Sequence, residues 1–138
     1  MDDLEAIRQL KARYFRLMDT KQWDAWRDCF TEDVVLETLP DPDERFVGRD
    51  QVVSRVSAIL ADSVTVHHGH MPEIELTGPD SATGIWAMFD WVDMPKLVLR
   101  GAGHYHDEYA RQAGGWRIRR SRLTRLRLDI ERKDAPSA

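Results

Sequence analysis

The groups in this sequence best suited to chemistry are five histidines and a carboxylate placed among apolar residues. Asp90 shares one side of an alternating stretch with Trp86 and Met88. Burying a carboxylate beside such neighbours is costly unless it is paired or put to use. Asp90 therefore reads either as a hydrogen-bonded group at the mouth of a pocket or as a catalytic or substrate-positioning one. His67, His68 and His70 form one cluster, and His104 and His106 another. Imidazole can serve as a near-neutral base or as a metal ligand. No carboxylate or third histidine stands at a recognisable ligand spacing. The His-x-His pairs are accordingly read as hydrogen-bonded structural residues, and neither a metal nor a cofactor is expected.

Tyr14 lies on the apolar stripe Leu4, Ile7, Leu10, Tyr14, Leu17, Met18, whose helical spacing predicts an amphipathic helix over 3–18. It is either a core tyrosine with a satisfied hydroxyl or a pocket acid that donates to a substrate carbonyl. Asp19 follows, and Asp19-Thr20-Lys21-Gln22 has the form of a capping box for a second helix over about 21–30. Such a cap is worth about 1 kcal/mol. Tyr14 and Asp19 are about 140° apart on an ideal helix. They share a pocket only if Asp19 ends the helix and turns inward.

The elements that must position these groups follow in order. Val34-Val35-Leu36 reads as a short strand, and a polar loop with Pro40, Pro42 and Gly48 comes next. A third helix is expected from an N-cap at Asp50 to about Ala61. Extended segments then cover 64–76 (interrupted at Pro72), 82–93, 97–110 and 116–129, separated by turns at Gly78-Pro79-Asp80-Ser81 and Gln112-Ala113-Gly114-Gly115. Three helices followed by an antiparallel meander predict an α+β domain in which the helices cover one sheet face. Residues 1–130 form that domain, with 131–138 a frayed tail. In the segment 82–93 both sides are apolar: Trp86 and Met88 on one, Ile85, Ala87, Phe89 and Trp91 on the other. The second side suits a partner subunit, so a homo-oligomer, a dimer or trimer, is expected.

The 138 residues suit one domain, and 42 % hydrophobic with 32 % charged residues is the composition of a globular chain. The single cysteine, Cys29, excludes an internal disulfide and reads as a buried thiol. A net charge of −4 and a pI near 5.7 argue against a general nucleic-acid binder. Six arginines (Arg117, Arg119, Arg120, Arg122, Arg125 and Arg127) crowd eleven residues and read as a solvated strand face. No basic start with an apolar stretch marks a signal peptide, and no apolar run nears the roughly 20 residues that cross a membrane. A cytoplasmic protein without membrane contact is expected.

The run Tyr14, Asp19, Trp23, Phe30-Thr31-Glu32-Asp33-Val34, then Gly48-Arg49-Asp50 and Val66-His67-His68-Gly69-His70, resembles the SnoaL-like branch of the nuclear transport factor 2-like superfamily. Gly103-His104-Tyr105-His106-Asp107-Glu108-Tyr109 and Gly115-Trp116-Arg117-Ile118 extend the resemblance over residues 4–129. It implies a cone-shaped α+β fold, three N-terminal helices packed into a curved, mostly antiparallel sheet. Members include scytalone dehydratase, bile-acid 7α-dehydratase, hexachlorocyclohexane dehydrochlorinase, ketosteroid isomerase and polyketide cyclases. In the dehydratase-like members an Asp ending the first helix pairs with a His on a strand. Asp19 and His67 stand at those places, with a shift of one, to His68, left open. Tyr14 and Asp90 match a pocket tyrosine and a second carboxylate of the bile-acid dehydratase type. Several relatives carry an Asn where this chain has Met71. The last-strand arginine of some relatives does not align cleanly: Ser121 stands near its place, flanked by Arg120 and Arg122, with Arg125 further on. Arg125 is carried as a candidate, and the choice among them stays open.

These matches imply an Asp–His general base that removes a carbon-bound proton beside a carbonyl, with Tyr14 donating to the enolate oxygen. The expected reaction is a cofactor-independent dehydration, or an isomerisation sharing its first step. Walls of Trp23, Phe30, Val56, Trp86, Met88 and Tyr105 favour a hydrophobic, ring-containing small molecule of steroid or polyketide type. The alternative is a non-catalytic module of the same fold that binds a small ligand or assembles copies of itself.

Overall fold

The computed structural model describes residues 1–40 and 44–134. Asp2 caps helix α1 (Asp3–Asp19) by accepting the Glu5 N–H at 2.8 Å. The predicted stripe faces inward along α1, and Lys11 is buried with it. The capping-box expectation is corrected at the end of α1. Lys21 adopts a left-handed φ of 56°, the Lys21 N–H donates to the Met18 carbonyl, and the Gln22 N–H reaches back to Leu17 at 2.8 Å. This is a Schellman closure of α1. Helix α2 (Trp23–Arg27) is shorter than expected, and its N-cap, Gln22, makes no side-chain capping bond. Asp19 is thereby released from capping duty.

Strand β1 (Phe30–Leu39) is longer than the predicted Val34–Leu36 segment, and β2 (Arg45–Val47) pairs with it inside the stretch read as loop. Pro42 lies outside the described residues. Helix α3 (Arg49–Leu60) starts after Gly48 at φ 89°, so Gly48 rather than Asp50 is the N-cap. Strands β3 (Val64–Gly78), β4 (Ser81–Asp93), β5 (Leu97–Gln112) and β6 (Gly115–Arg132) form the expected meander. β6 runs past residue 130, and the Lys133 N–H still donates to the Lys96 carbonyl; residues 135–138 lie outside the described ones.

The sheet order is β2-β1-β6-β5-β4-β3, antiparallel except where β1 runs parallel to β6. It is an open, mixed sheet with the three helices against one face, the α+β architecture expected. Trp26 and Phe30, fully buried with ring centroids 4.7 Å apart and nearly perpendicular, anchor the closed end of the core. Burying each such side chain contributes roughly 1.5–3 kcal/mol.

Two irregularities in the β5–β6 pairing decide which β6 side chains face inward. Tyr109 pairs with Ile118 but Glu108 with Arg120, so Arg119 is an extra residue. Gly103 pairs with Arg125 but Ala102 with Arg127, so Leu126 is another. Each bulge reverses the alternation. Inward positions thus run Trp116, Ile118, then Ser121, Leu123, Arg125, then Ile130. A Cβ on Gly103 would sit 1.9 Å from the Thr124 carbonyl oxygen, so the second bulge needs glycine there.

Candidate active site

Asp19 leaves the last turn of α1 pointing at β3, where three donors meet it. The Thr65 hydroxyl donates to Oδ1 at 2.9 Å, the His67 main-chain N–H to Oδ2 at 2.8 Å, and His67 Nδ1 lies 2.7 Å from Oδ1. A carboxylate accepts and does not donate, so Nδ1 carries a proton, and in the neutral ring Nε2 is the bare nitrogen. The His67 side chain is 8 % exposed, and strand alternation turns its neighbours His68 and His70 outward, where both are exposed.

His67 is directly opposite Asp90 in the β3–β4 register. Its Nε2 lies 3.9 Å from Asp90 Oδ2. Asp90 in turn is gripped by Arg125, whose Nη1 and Nη2 reach its two oxygens at 2.9 and 3.1 Å. Burial pulls the Arg125 guanidinium down, but the Asp90 carboxylate outweighs that and leaves it above its ordinary value. The pair fits only because Gly101 lies beside it. A Cβ on Gly101 would stand 1.8 Å from Arg125 Nη1 and 2.5 Å from Asp90 Oδ1.

His67, Asp90 and Arg125 meet at the polar end of a cavity of about 320 Å³. Tyr14, Tyr105 and Ser121 also line it, and Met18, Leu36, Val56, Val92, Leu99 and Leu123 are among its apolar walls. Burial raises the Tyr14 phenol far above its ordinary value, and Asp107 adds to that; Tyr105 is raised chiefly by burial too. Both phenols therefore keep their protons at neutral pH.

Of the side chains singled out from the sequence, Asp19, His67, Tyr14, Asp90, Val56, Tyr105 and Arg125 come together here. Trp23, Phe30, Trp86 and Met88 are outside the lining. Phe30 and Met88 are buried in the core, Trp23 packs edge-on against Trp26, and the Trp86 indole donates to the Tyr109 hydroxyl at 2.8 Å. Their positions in the wall are taken by aliphatic residues from α3 and by Leu97, Leu99 and Ile130 from the β5–β6 pair. Sequence reasoning missed these last three, which lie beyond the second bulge.

The arginine run separates in the same way. Arg120 and Arg122 hold Glu37 at 2.6 and 2.9 Å on the outer face, depressing its carboxyl, and Arg119 reaches Glu108. Arg125 turns inward, where a solvated face had been expected. His104 and His106 face outward with ring centroids 6.3 Å apart. Among the described residues no three His, Cys, Asp or Glu side chains converge as a ligand set, and no helix is long and apolar enough to cross a membrane.

The same fold recurs in solved structures. A protein from Novosphingobium aromaticivorans provisionally named scytalone dehydratase matches with a TM-score of 0.85 at 19 % identity, over 96 % of this chain and 89 % of that one. The type 3 hexachlorocyclohexane dehydrochlorinase of Novosphingobium barchaimii matches with a TM-score of 0.80 at 16 % identity, over 92 % and 88 %. Rv3472 of Mycobacterium tuberculosis, a protein of unknown function, matches at 27 % identity and a TM-score of 0.76, over 90 % of this chain and 72 % of that one. Residues 1–122 match the model of the SnoaL-like domain, and with the helices, sheet and pocket already described this places the chain in the SnoaL-like family.

Proposed function

We propose that this protein is a cofactor-independent lyase of dehydratase type, acting on a hydrophobic, ring-containing small molecule with a hydroxyl group β to a carbonyl. The observation that carries this reading is the Asp19–His67 hydrogen bond of 2.7 Å beside a largely apolar cavity that His67 lines. Asp19 holds the imidazole in one tautomer and leaves Nε2 to take the carbon-bound proton. A base so positioned contributes roughly 10²- to 10⁴-fold. The electrons released move onto the carbonyl oxygen, where Tyr14 donates a hydrogen bond. The C–O bond to the β-hydroxyl then breaks, and the imidazolium returns its proton to the departing oxygen as water forms. Acid, base and charge balance without an added group.

Asp90 serves this chemistry as the carboxylate nearest Nε2, favouring the imidazolium that forms in mid-reaction. Both its oxygens are engaged by Arg125, so it positions and stabilises. An isomerisation would share the first step and differ only in where the proton returns. The aliphatic walls favour a flat, apolar ring system.

The chain acts as a homo-oligomer in this proposal. Ile85, Phe89 and Trp91 on the outer sheet face are 37, 44 and 42 % exposed in the single chain, a contiguous apolar stripe along β4 suited to a second copy.

A panel of β-hydroxy ketones assayed with wild type and with His67→Ala tests the reading. Turnover by wild type and its loss in a folded His67→Ala supports it. A wild type that binds the panel without converting any member supports the alternative, a small-ligand-binding module of the same fold.

A further inference from the structure

Beneath the pocket lies a charged pair that the proposed reaction leaves unused. Lys11 on α1 and Asp107 on β5 are 2.8 Å apart, and both side chains are 0 % exposed. The contact is a fully buried ion pair. The ammonium also stands over aromatic rings. Lys11 Nζ stands 4.2 Å from the ring centroid of Tyr14 and 4.0 Å from that of Tyr105. These are two of the polar residues that line the cavity. Asp107 is kept on the other side by the Tyr109 hydroxyl, which donates to Oδ2 at 2.8 Å and is itself held by the Trp86 indole at 2.8 Å. The relay Trp86, Tyr109, Asp107, Lys11 thus ends on the two phenols from behind.

A pair of buried charges is an expensive way to fill a core, since apolar residues of the same volume are often as stabilising or more so. This one delivers a cation to the ring faces of two hydroxyl donors, and a cation over a phenol ring draws electron density from it. We infer that Lys11 is a positioning residue for the oxyanion end of the pocket, its buried ammonium strengthening Tyr14 and Tyr105 as donors to a substrate oxygen that becomes negative. The inference rests on the proposed lyase reading, in which such an oxygen forms.

Equilibrium binding separates the two ideas, because it needs no turnover. Ring-substituted naphthols of graded acidity act as oxyanion probes, and 2-methylnaphthalene as a neutral probe of similar shape, each followed by quenching of tryptophan fluorescence. Lys11→Met alone strands Asp107 as an unpaired buried charge and endangers folding. The measurement therefore compares wild type with Lys11→Met/Asp107→Asn, which removes both charges.

Wild type is expected to bind naphthols more tightly as their acidity rises. The double variant is expected to bind 2-methylnaphthalene as wild type does, yet to lose about tenfold on the most acidic naphthol. A steep wild-type trend that survives unchanged in the double variant, or an equal loss on the neutral and the acidic probe, overturns the role of Lys11 and leaves the lyase reading standing. A flat trend in wild type itself removes the oxyanion end of the pocket, and both ideas fall.

Discussion

Asp19 takes both the main-chain N–H and the ring Nδ1 of His67, at 2.8 and 2.7 Å, so one carboxylate sets the strand position and the tautomer of the same residue. The Schellman closure at Lys21 makes this possible by ending α1 at Asp19, with Thr20 as its C-cap. The side chain is then free to leave the helix for the sheet.

His67→Ala is expected to lower kcat by roughly 10²- to 10⁴-fold while the far-ultraviolet circular dichroism stays that of wild type. Asp19→Asn is expected to lower activity similarly and also to cost about 1–3 kcal/mol of stability. The amide cannot accept all the contacts from Thr65 and His67 that the carboxylate accepts. Urea titrations of the two variants separate these effects, and a His67→Ala chain with wild-type turnover would refute the assignment of the base.

Gly101→Ala carries a methyl group into the Asp90–Arg125 pair, whose side chains are 3 and 16 % exposed. The Arg125 guanidinium can yield towards the cavity only by loosening its grip on Asp90, so a loss of about 1–3 kcal/mol in denaturant unfolding is expected. A variant as stable as wild type would show that the pair tolerates displacement.

Alkaline pH is expected to unfold the protein earlier than its surface charge suggests. Burial pushes the Cys29 thiol from 9.0 to about 11 and raises Tyr14, Tyr105 and Tyr109 as well. Each group holds its proton more tightly folded than unfolded. Its contribution to stability is therefore complete below the unfolded value and is lost as pH climbs towards the folded one. Melting temperatures measured from pH 7 to 11 should be level to about 9 and fall steeply beyond it. A flat profile across the whole range would contradict the burial of these groups.

Trp91→Asp places a charge in the exposed stripe of β4 without touching the pocket face. Sedimentation velocity should show the variant shifted to monomer with its helical content unchanged. Identical sedimentation of variant and wild type would count against this face as the subunit contact.

Local pattern alone was enough for the existence of α1, α3 and the four strands of the meander, because each is long and bounded by recognisable turn or cap residues. The Asp19–His67 pair was legible only through the resemblance of its surrounding motifs. Helical geometry by itself set Tyr14 and Asp19 on different faces, and the four residues after Met18 read as a cap for the wrong helix. The choice among the crowded arginines was beyond any period-two reading. Arg119 and Leu126 are extra residues in the β5–β6 ladder, and each reverses which side chains face inward. Where such residues fall depends on the partner strand, here on Gly103, which alone lets the backbone close in on Thr124. That is why tertiary pairing, and not the β6 sequence, sends Arg125 to Asp90 while its neighbours go to Glu37 and Glu108. Lys11 belongs with it: on a helix surface a lysine reads as solvent-facing, and only the packing of α1 on β5 turns it towards Asp107.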